Sequence, residues 1–211
     1  MKLTRIIPLA LMAFAVLSSC SEEATSKTYF DVYSQGLPFT GGTVTFTVYS
    51  NGDWAVVSQS DDMTISPESG YGDTKITVTV PANDQITTKS FNFSAKTTIG
   101  ESSVYTNKAV VTVDAQPFVL CEEESLEVPA EGGKAWFTVN SNYAWKVAGI
   151  SATEGGTEGV TVNPSEKDRN IVSVEVYVPA NTSGVAREVT VTLALNEYPD
   201  RTATLKVCQP A

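Results

Sequence analysis

The feature that most constrains how this chain can fold is an ordered set of landmarks that occurs twice. Pro38-Phe39-Thr40-Gly41-Gly42 returns as Pro129-Ala130-Glu131-Gly132-Gly133, and Ser50-Asn51 followed by Trp54 returns as Ser141-Asn142 followed by Trp145. Ile65-Ser66-Pro67 matches Val162-Asn163-Pro164, Val78 to Asn83 matches Val176 to Asn181, and Gln116-Pro117 matches Gln209-Pro210. The order never changes while the intervals drift, as happens when loops vary between fixed structural positions. The repeat predicts two modules, 28–116 and 117–211. Pro117 stops the last strand of the first and leaves almost no linker. The modules are therefore expected in a constrained, roughly end-to-end arrangement.

Within each module the hydrophobic period is two. Val44, Phe46 and Val48 alternate with threonines, as do Ile76, Val78 and Val80, then Val174, Val176 and Val178, then Val189, Val191 and Leu193. Such stripes are half-buried strands. Gly-Gly, Asn-Gly and Ser-Gly mark turns between them, and no segment sustains a helical period. About seven short strands in ~90 residues is the pattern of an immunoglobulin-like sandwich. The expected fold is all-β: two tandem immunoglobulin-like β-sandwich domains after a signal peptide. Trp54 and Trp145 are read as core anchors, since an indole buries ~150–250 Å², an upper estimate of about 4–6 kcal/mol.

The N-terminus reads as an address. Lys2 and Arg5 precede an apolar run, Ile6 to Leu17, too short to span a bilayer and typical of a secretory leader. It ends in Leu17-Ser18-Ser19-Cys20, which resembles the bacterial lipobox. Residues 1–19 are then a removed signal peptide, Cys20 is the lipidated residue, and 20–27 form a short linker. Several acyl chains would anchor the protein stably, where one alone anchors marginally. Ser21-Glu22-Glu23 looks like the acidic export tag of surface lipoproteins in Bacteroidetes. The expected location is the outer membrane, lipid-anchored, at the cell surface or on the periplasmic face.

Composition narrows the function classes. The 211 residues contain no histidine and carry a net charge of −10, and removing Lys2 and Arg5 makes the balance more negative. Without histidine, Ser-His-Asp and Cys-His catalysis and the usual zinc and copper sites are gone. The negative field opposes nucleic acid and anionic surfaces. No nucleophile–base pair, metal cluster or cofactor motif is visible, so neither an enzyme nor a cofactor is expected. Gly155-Gly156, with no following Lys-Ser or Lys-Thr, reads as a turn.

The landmarks as a set resemble the BACON family (Bacteroidetes-associated carbohydrate-binding, often N-terminal). The residues concerned are Gly41-Gly42, Trp54, Ile65-Ser66-Pro67 with Glu68-Ser69-Gly70, Val78 to Asn83 and Gln116. In the second copy they are Gly132-Gly133, Trp145, Val162-Asn163-Pro164, Val176 to Asn181 and Gln209. The second copy departs in having Ser165-Glu166-Lys167 where the first has Glu68-Ser69-Gly70, and the first is longer between Asn83 and Gln116, with a hairpin expected near Thr97 to Thr106. The resemblance implies an immunoglobulin-like fold and carbohydrate binding in a glycan-utilisation context.

Register decides where a sugar could stack. With Ala135, Phe137 and Val139 inward, Trp136 points outward. With Val176 and Val178 inward, Tyr177 does too. Their strands are neighbours in an immunoglobulin-like sheet. Trp136 and Tyr177 therefore form either a weak carbohydrate or partner platform or a cross-strand aromatic pair that stabilises the sheet. Asp53, Asp61 and Asp62 are read as lying near one loop, without calcium-ligand spacing. Cys121 and Cys208 open and close the second module, and a disulfide between them is conceivable. Two functions remain open: a cell-envelope binding module for glycan, and a structural spacer or interaction subunit for an outer-membrane protein partner.

Overall fold

The computed structural model describes residues 25–211, all of whose regular structure is strand. The leader, Cys20 and the acidic tag lie outside the described residues. The first module contains β1 (Thr28–Phe30), β2 (Ser34–Leu37), β3 (Gly42–Ser50), β4 (Asp53–Gln59), β5 (Thr64–Ser66), β6 (Ser69–Tyr71), β7 (Thr74–Val80), β8 (Lys89–Ile99), β9 (Ser102–Tyr105) and β10 (Ala109–Val113). The second contains β11 (Val119–Cys121), β12 (Ser125–Glu127), β13 (Gly132–Ser141), β14 (Trp145–Ala152), β15 (Thr161–Asn163), β16 (Glu166–Lys167), β17 (Asn170–Pro179), β18 (Arg187–Leu195) and β19 (Thr202–Gln209).

Each module is two sheets in the same order. One sheet runs β1-β3-β7-β5, the other β2-β10-β8-β4-β6; the second module repeats this as β11-β13-β17-β15 and β12-β19-β18-β14-β16. No sheet mixes strands of the two halves. β2 pairs β10, and β12 pairs β19, in parallel, and the other pairings are antiparallel. The period-two stripes form the two cores: Phe46, Val48, Ile76, Val78, Phe91 and Phe93 in the first, Phe137, Val174, Val176, Val189, Leu193 and Leu205 in the second. Trp54 and Trp145 are both buried, as their size demands. The extra hairpin of the first module is β8–β9, with Ile99 opposite Ser102. β9 and β10 share one edge of the long β8, β10 taking Lys89 to Phe93 and β9 taking Lys96 to Ile99.

The landmarks now have physical reasons. Gly41 and Gly132 close Pro-x-x-Gly turns (Gly41 N donates to Pro38 O and Gly132 N to Pro129 O, both 2.9 Å). Their φ values are 68° and 82°, and a Cβ would lie 2.4 Å from Pro81 O and 2.6 Å from Val178 O, so only glycine fits. Asn83 and Asn181 tie the end of β7 and of β17 to the last strand: Asn83 Nδ2 donates to Thr87 O (2.8 Å) and Asp114 O (2.9 Å), and Asn181 Nδ2 to Val185 O (2.7 Å) and Pro210 O (2.8 Å).

Two expectations are corrected. The terminal Gln116 and Gln209 are not equivalent. Leu37 pairs Val113 while Glu127, one residue before Val128, pairs Cys208, so Gln209 occupies the place of Val113 and Gln116 lies beyond it in the linker. Gln209 is buried and donates through Nε2 to Pro129 O and Pro179 O while accepting from Arg187 Nε at 2.8 Å. Cys121 and Cys208 are free thiols. Cys121 packs against the second core from β11, whereas Cys208, between buried Val207 and Gln209, projects from the outer face of the other sheet. Side chains on opposite sides of a sheet cannot meet in a disulfide.

Candidate functional site

β13 and β17 pair over ten residues, and this sets the face that Trp136 and Tyr177 share. Phe137, Val139, Val176 and Val178 are buried beneath it, so the alternate residues stand in solvent. Trp136 is 57% exposed and Tyr177 39%. The two are not opposite one another: Trp136 faces Glu175, and Tyr177 faces Lys134. A directly opposed aromatic pair is therefore excluded by the register. Lys134 Nζ bonds Glu175 Oε2 at 3.0 Å along one diagonal, and the two rings occupy the other.

β15 widens this patch, placing Thr161 beside Tyr177 and Asn163 beside Glu175. The face thus offers two aromatic surfaces, a cation, a carboxylate, a hydroxyl and an amide within two adjacent rows. The ion pair is exposed and contributes ~0–1 kcal/mol to stability. Holding the Lys134 and Glu175 head groups between the rings matters more than that energy. Aromatic faces stack on the apolar side of a pyranose, and flanking donors and acceptors bond its hydroxyls.

The first module has no such patch. The equivalent positions are Thr43, Thr45, Thr77 and Thr79, with Thr64 and Ser66 on the edge strand. Thr43 and Thr79 share a hydroxyl hydrogen bond of 3.1 Å. The aromatic rings of that sheet's outer face in the first module, Tyr29 and Tyr49, lie farther along β1 and β3 and stack on each other.

Asp53, Asp61 and Asp62 do not share a loop. Asp53 begins β4 and the other two follow its far end, separated by roughly 20 Å at ~3.3 Å per strand residue. Asp62 instead lies 3.7 Å from Lys89. Among the described residues no cluster of three or more Asp, Glu, Cys or His is placed to hold a metal.

A second concavity was not legible in the sequence: a cleft of about 770 Å³ where the modules meet, lined in part by Asp114, Asn142, Tyr143, Asp168, Arg169 and Glu197. Asn142 is its hinge pin. Its Oδ1 accepts from Phe118 N (2.8 Å) and its Nδ2 donates to Gln116 O (2.9 Å), holding both sides of the buried Pro117. Beside it Tyr198 makes T-shaped contacts with Phe39 from the first module (5.8 Å) and with Tyr143 (5.0 Å). Tyr143 stands where the first module has Gly52, a difference between the copies that, beside Pro117, marks this junction in the sequence. Burial, the Tyr198 hydroxyl and the Glu197 and Asp114 charges hold the Tyr143 phenol above its ordinary value. Three carboxylates against one guanidinium make the cleft unfavourable for anions.

No family model and no curated relative matches the chain. Among solved structures it is similar to the extracellular cadherin domains 1–4 of protocadherin gamma B7, with a TM-score of 0.53 and 7% identity over 88% of this chain and 50% of that one. The chain is two tandem immunoglobulin-like β-sandwiches. It also matches a Bacteroides ovatus GH5 xyloglucanase solved with a XXXG heptasaccharide, at TM-score 0.34 and 22% identity over 42% of this chain and 17% of that one. It spans half or less of the length of either protein.

Proposed function

We propose that this is a non-catalytic glycan-binding protein of the cell envelope, with weak carbohydrate binding on the outer face of β13 and β17. One observation carries this reading: Trp136 and Tyr177 stand in solvent on one sheet face, separated by a bonded Lys134–Glu175 pair rather than covering each other. A bare, 57% exposed indole contributes little to folding, so its area is available for a ligand. The BACON-like landmarks and the lipobox-like leader fit the same role at an outer membrane. The paired charges and the surrounding negative field favour neutral glycans over acidic ones.

Calorimetric titration of residues 21–211 with neutral plant and host glycans tests this. Binding in the range of about 0.1–1 mM is expected, about −5.5 to −4 kcal/mol. Trp136→Ala should weaken it at least tenfold, about 1.4 kcal/mol, with the urea midpoint unchanged. Equal heats from the variant and the parent protein would remove the platform.

A second reading, a spacer or interaction subunit for an outer-membrane partner, draws support from the junction. Asn142, buried Pro117 and the Phe39–Tyr198–Tyr143 cluster brace the two modules against bending. A braced pair suits projection of a site as well as binding.

A further inference from the structure

We propose that the end of the first module bearing Asn51, Tyr71 and the β8–β9 turn sits on a zwitterionic lipid surface. This rests on reading Cys20 as the membrane-anchored residue. Asn51 is the repeat equivalent of Asn142, and it makes the same clamp. Asn51 Oδ1 accepts from Lys27 N at 2.7 Å and Asn51 Nδ2 donates to Thr25 O at 2.8 Å. Asn142 treats Phe118 and Gln116 in the same way at 2.8 and 2.9 Å. Ser26 adds a bond from its Oγ to Ser102 O at 3.0 Å. The segment that leads in from the anchor is thus fixed to the first module by the same pair of bonds that fixes the linker to the second.

This leaves very little free tether. From Cys20 to the clamped Thr25 the chain can reach at most about 18 Å, the limit for a fully extended backbone. The nine-residue β3 alone spans about 30 Å. The slack is shorter than the module it holds, so the end where Thr25 emerges stays against the headgroups.

That end is built for such a neighbour. Tyr71, 73% exposed, closes β6 there, and the turn behind it is pinned by Gly72 N to Gly52 O at 3.1 Å. One residue back from the same end, Tyr29 and Tyr49 stack at 5.0 Å. Tyrosine, an apolar ring with a polar tip, suits the interfacial zone of a bilayer. Asp53, Asp73 and Glu101 outnumber Lys27 at this end and oppose anionic lipid, which is why the surface is a zwitterionic one. The β8–β9 hairpin thickens this end of the first module only. At the corresponding place the second module has no added strand, and the connection 196–201 joins β18 directly to β19.

The test uses the mature chain from Cys20 with Cys121→Ser and Cys208→Ser. It is coupled through Cys20 to a maleimide-bearing phosphatidylethanolamine in phosphatidylcholine vesicles. Amide hydrogen exchange at residues 70–73 and 99–103 should slow several-fold relative to the same protein coupled to a soluble maleimide, with residues 183–187 unchanged. Inserting about twenty Gly-Ser residues after Glu23 should restore the solution rates. Identical rates on vesicles and in solution, or equal slowing at 183–187, would overturn the proposal. The synthetic tether makes this outcome independent of natural acylation. The intact mass of protein from its native host reports that separately, and an unmodified Cys20 there would sink the anchor reading alone.

Discussion

The Trp145 indole is fully buried and its Nε1 has no hydrogen-bond partner, whereas Trp54 Nε1 in the first module donates to Thr74 Oγ1 at 3.4 Å. The residue equivalent to Thr74 is Val172, since Val48 pairs Thr74 as Val139 pairs Val172. Val172→Thr therefore supplies the missing acceptor. A buried unsatisfied donor costs about 1–3 kcal/mol. Replacing a half-buried methyl removes part of the ~0.8 kcal/mol such a group contributes, and the 3.4 Å geometry in the first module points to the weak end of the gain. The net expectation is about 1 kcal/mol of added stability, or about 4–8 °C in the melting of a module this size. Urea denaturation of the full chain measures it, the second module's transition being the one displaced by Trp145→Phe. In that Phe background the threonine hydroxyl has no indole to serve, so Val172→Thr should destabilise by up to about 1 kcal/mol. The same sign of change in both backgrounds would refute the assignment of the orphan donor.

Three further outcomes follow from the same geometry. Asn142→Ala removes both bonds around Pro117 and should cost about 1–3 kcal/mol; small-angle scattering should show a wider spread of module orientations, and proteolysis near Gln116 should accelerate. Gly132→Ala forces a Cβ to 2.6 Å from Val178 O at a φ of 82°; it should cost more than the ~1 kcal/mol of an ordinary glycine replacement, whereas Gly100→Ala, whose Cβ meets open space, should stay near that value. The Cys121 thiol is pushed up to about 11 by burial, with the Glu123 charge adding, from an ordinary 9.0. Its folded pKa lies above its unfolded one, so the stability it contributes is complete below pH 9 and is lost as pH rises towards 11. Iodoacetamide at pH 8 should label Cys121 far more slowly in the folded than in the urea-unfolded chain.

Much of this molecule could be read from local pattern. Alternation along Gly132–Ser141 and Asn170–Pro179 tells which residues face the core, so the outward placement of Trp136 and Tyr177 follows from the sequence. The glycine turns, the buried tryptophans and the β8–β9 hairpin were visible in the same way, because each is decided by a few neighbouring residues: a positive φ, a large apolar ring, a length difference between copies.

What lay beyond local pattern was everything set by which residue stands beside which across the sheets. A stripe of period two states the side of a sheet but not the lateral partner, since shifting a strand by two residues leaves the stripe unchanged. That is why the Lys134–Glu175 bond crossing the aromatic diagonal, and the cleft beside Asn142, belong to the tertiary structure. Gln116 and Cys208 differ: Gln116 lies three residues past Val113, on the opposite side of the alternation from Gln209, and Cys208 alternates with inward Leu205 and Val207, so residue identity and strand order misled where the stripe itself did not. The sequence alone determined two β-sandwich modules and the inward or outward sense of each stripe, because burial of apolar side chains dictates it. The long-range hydrogen-bond register decided the composition of the exposed face and of the junction, because it is fixed by whole strands pairing at once.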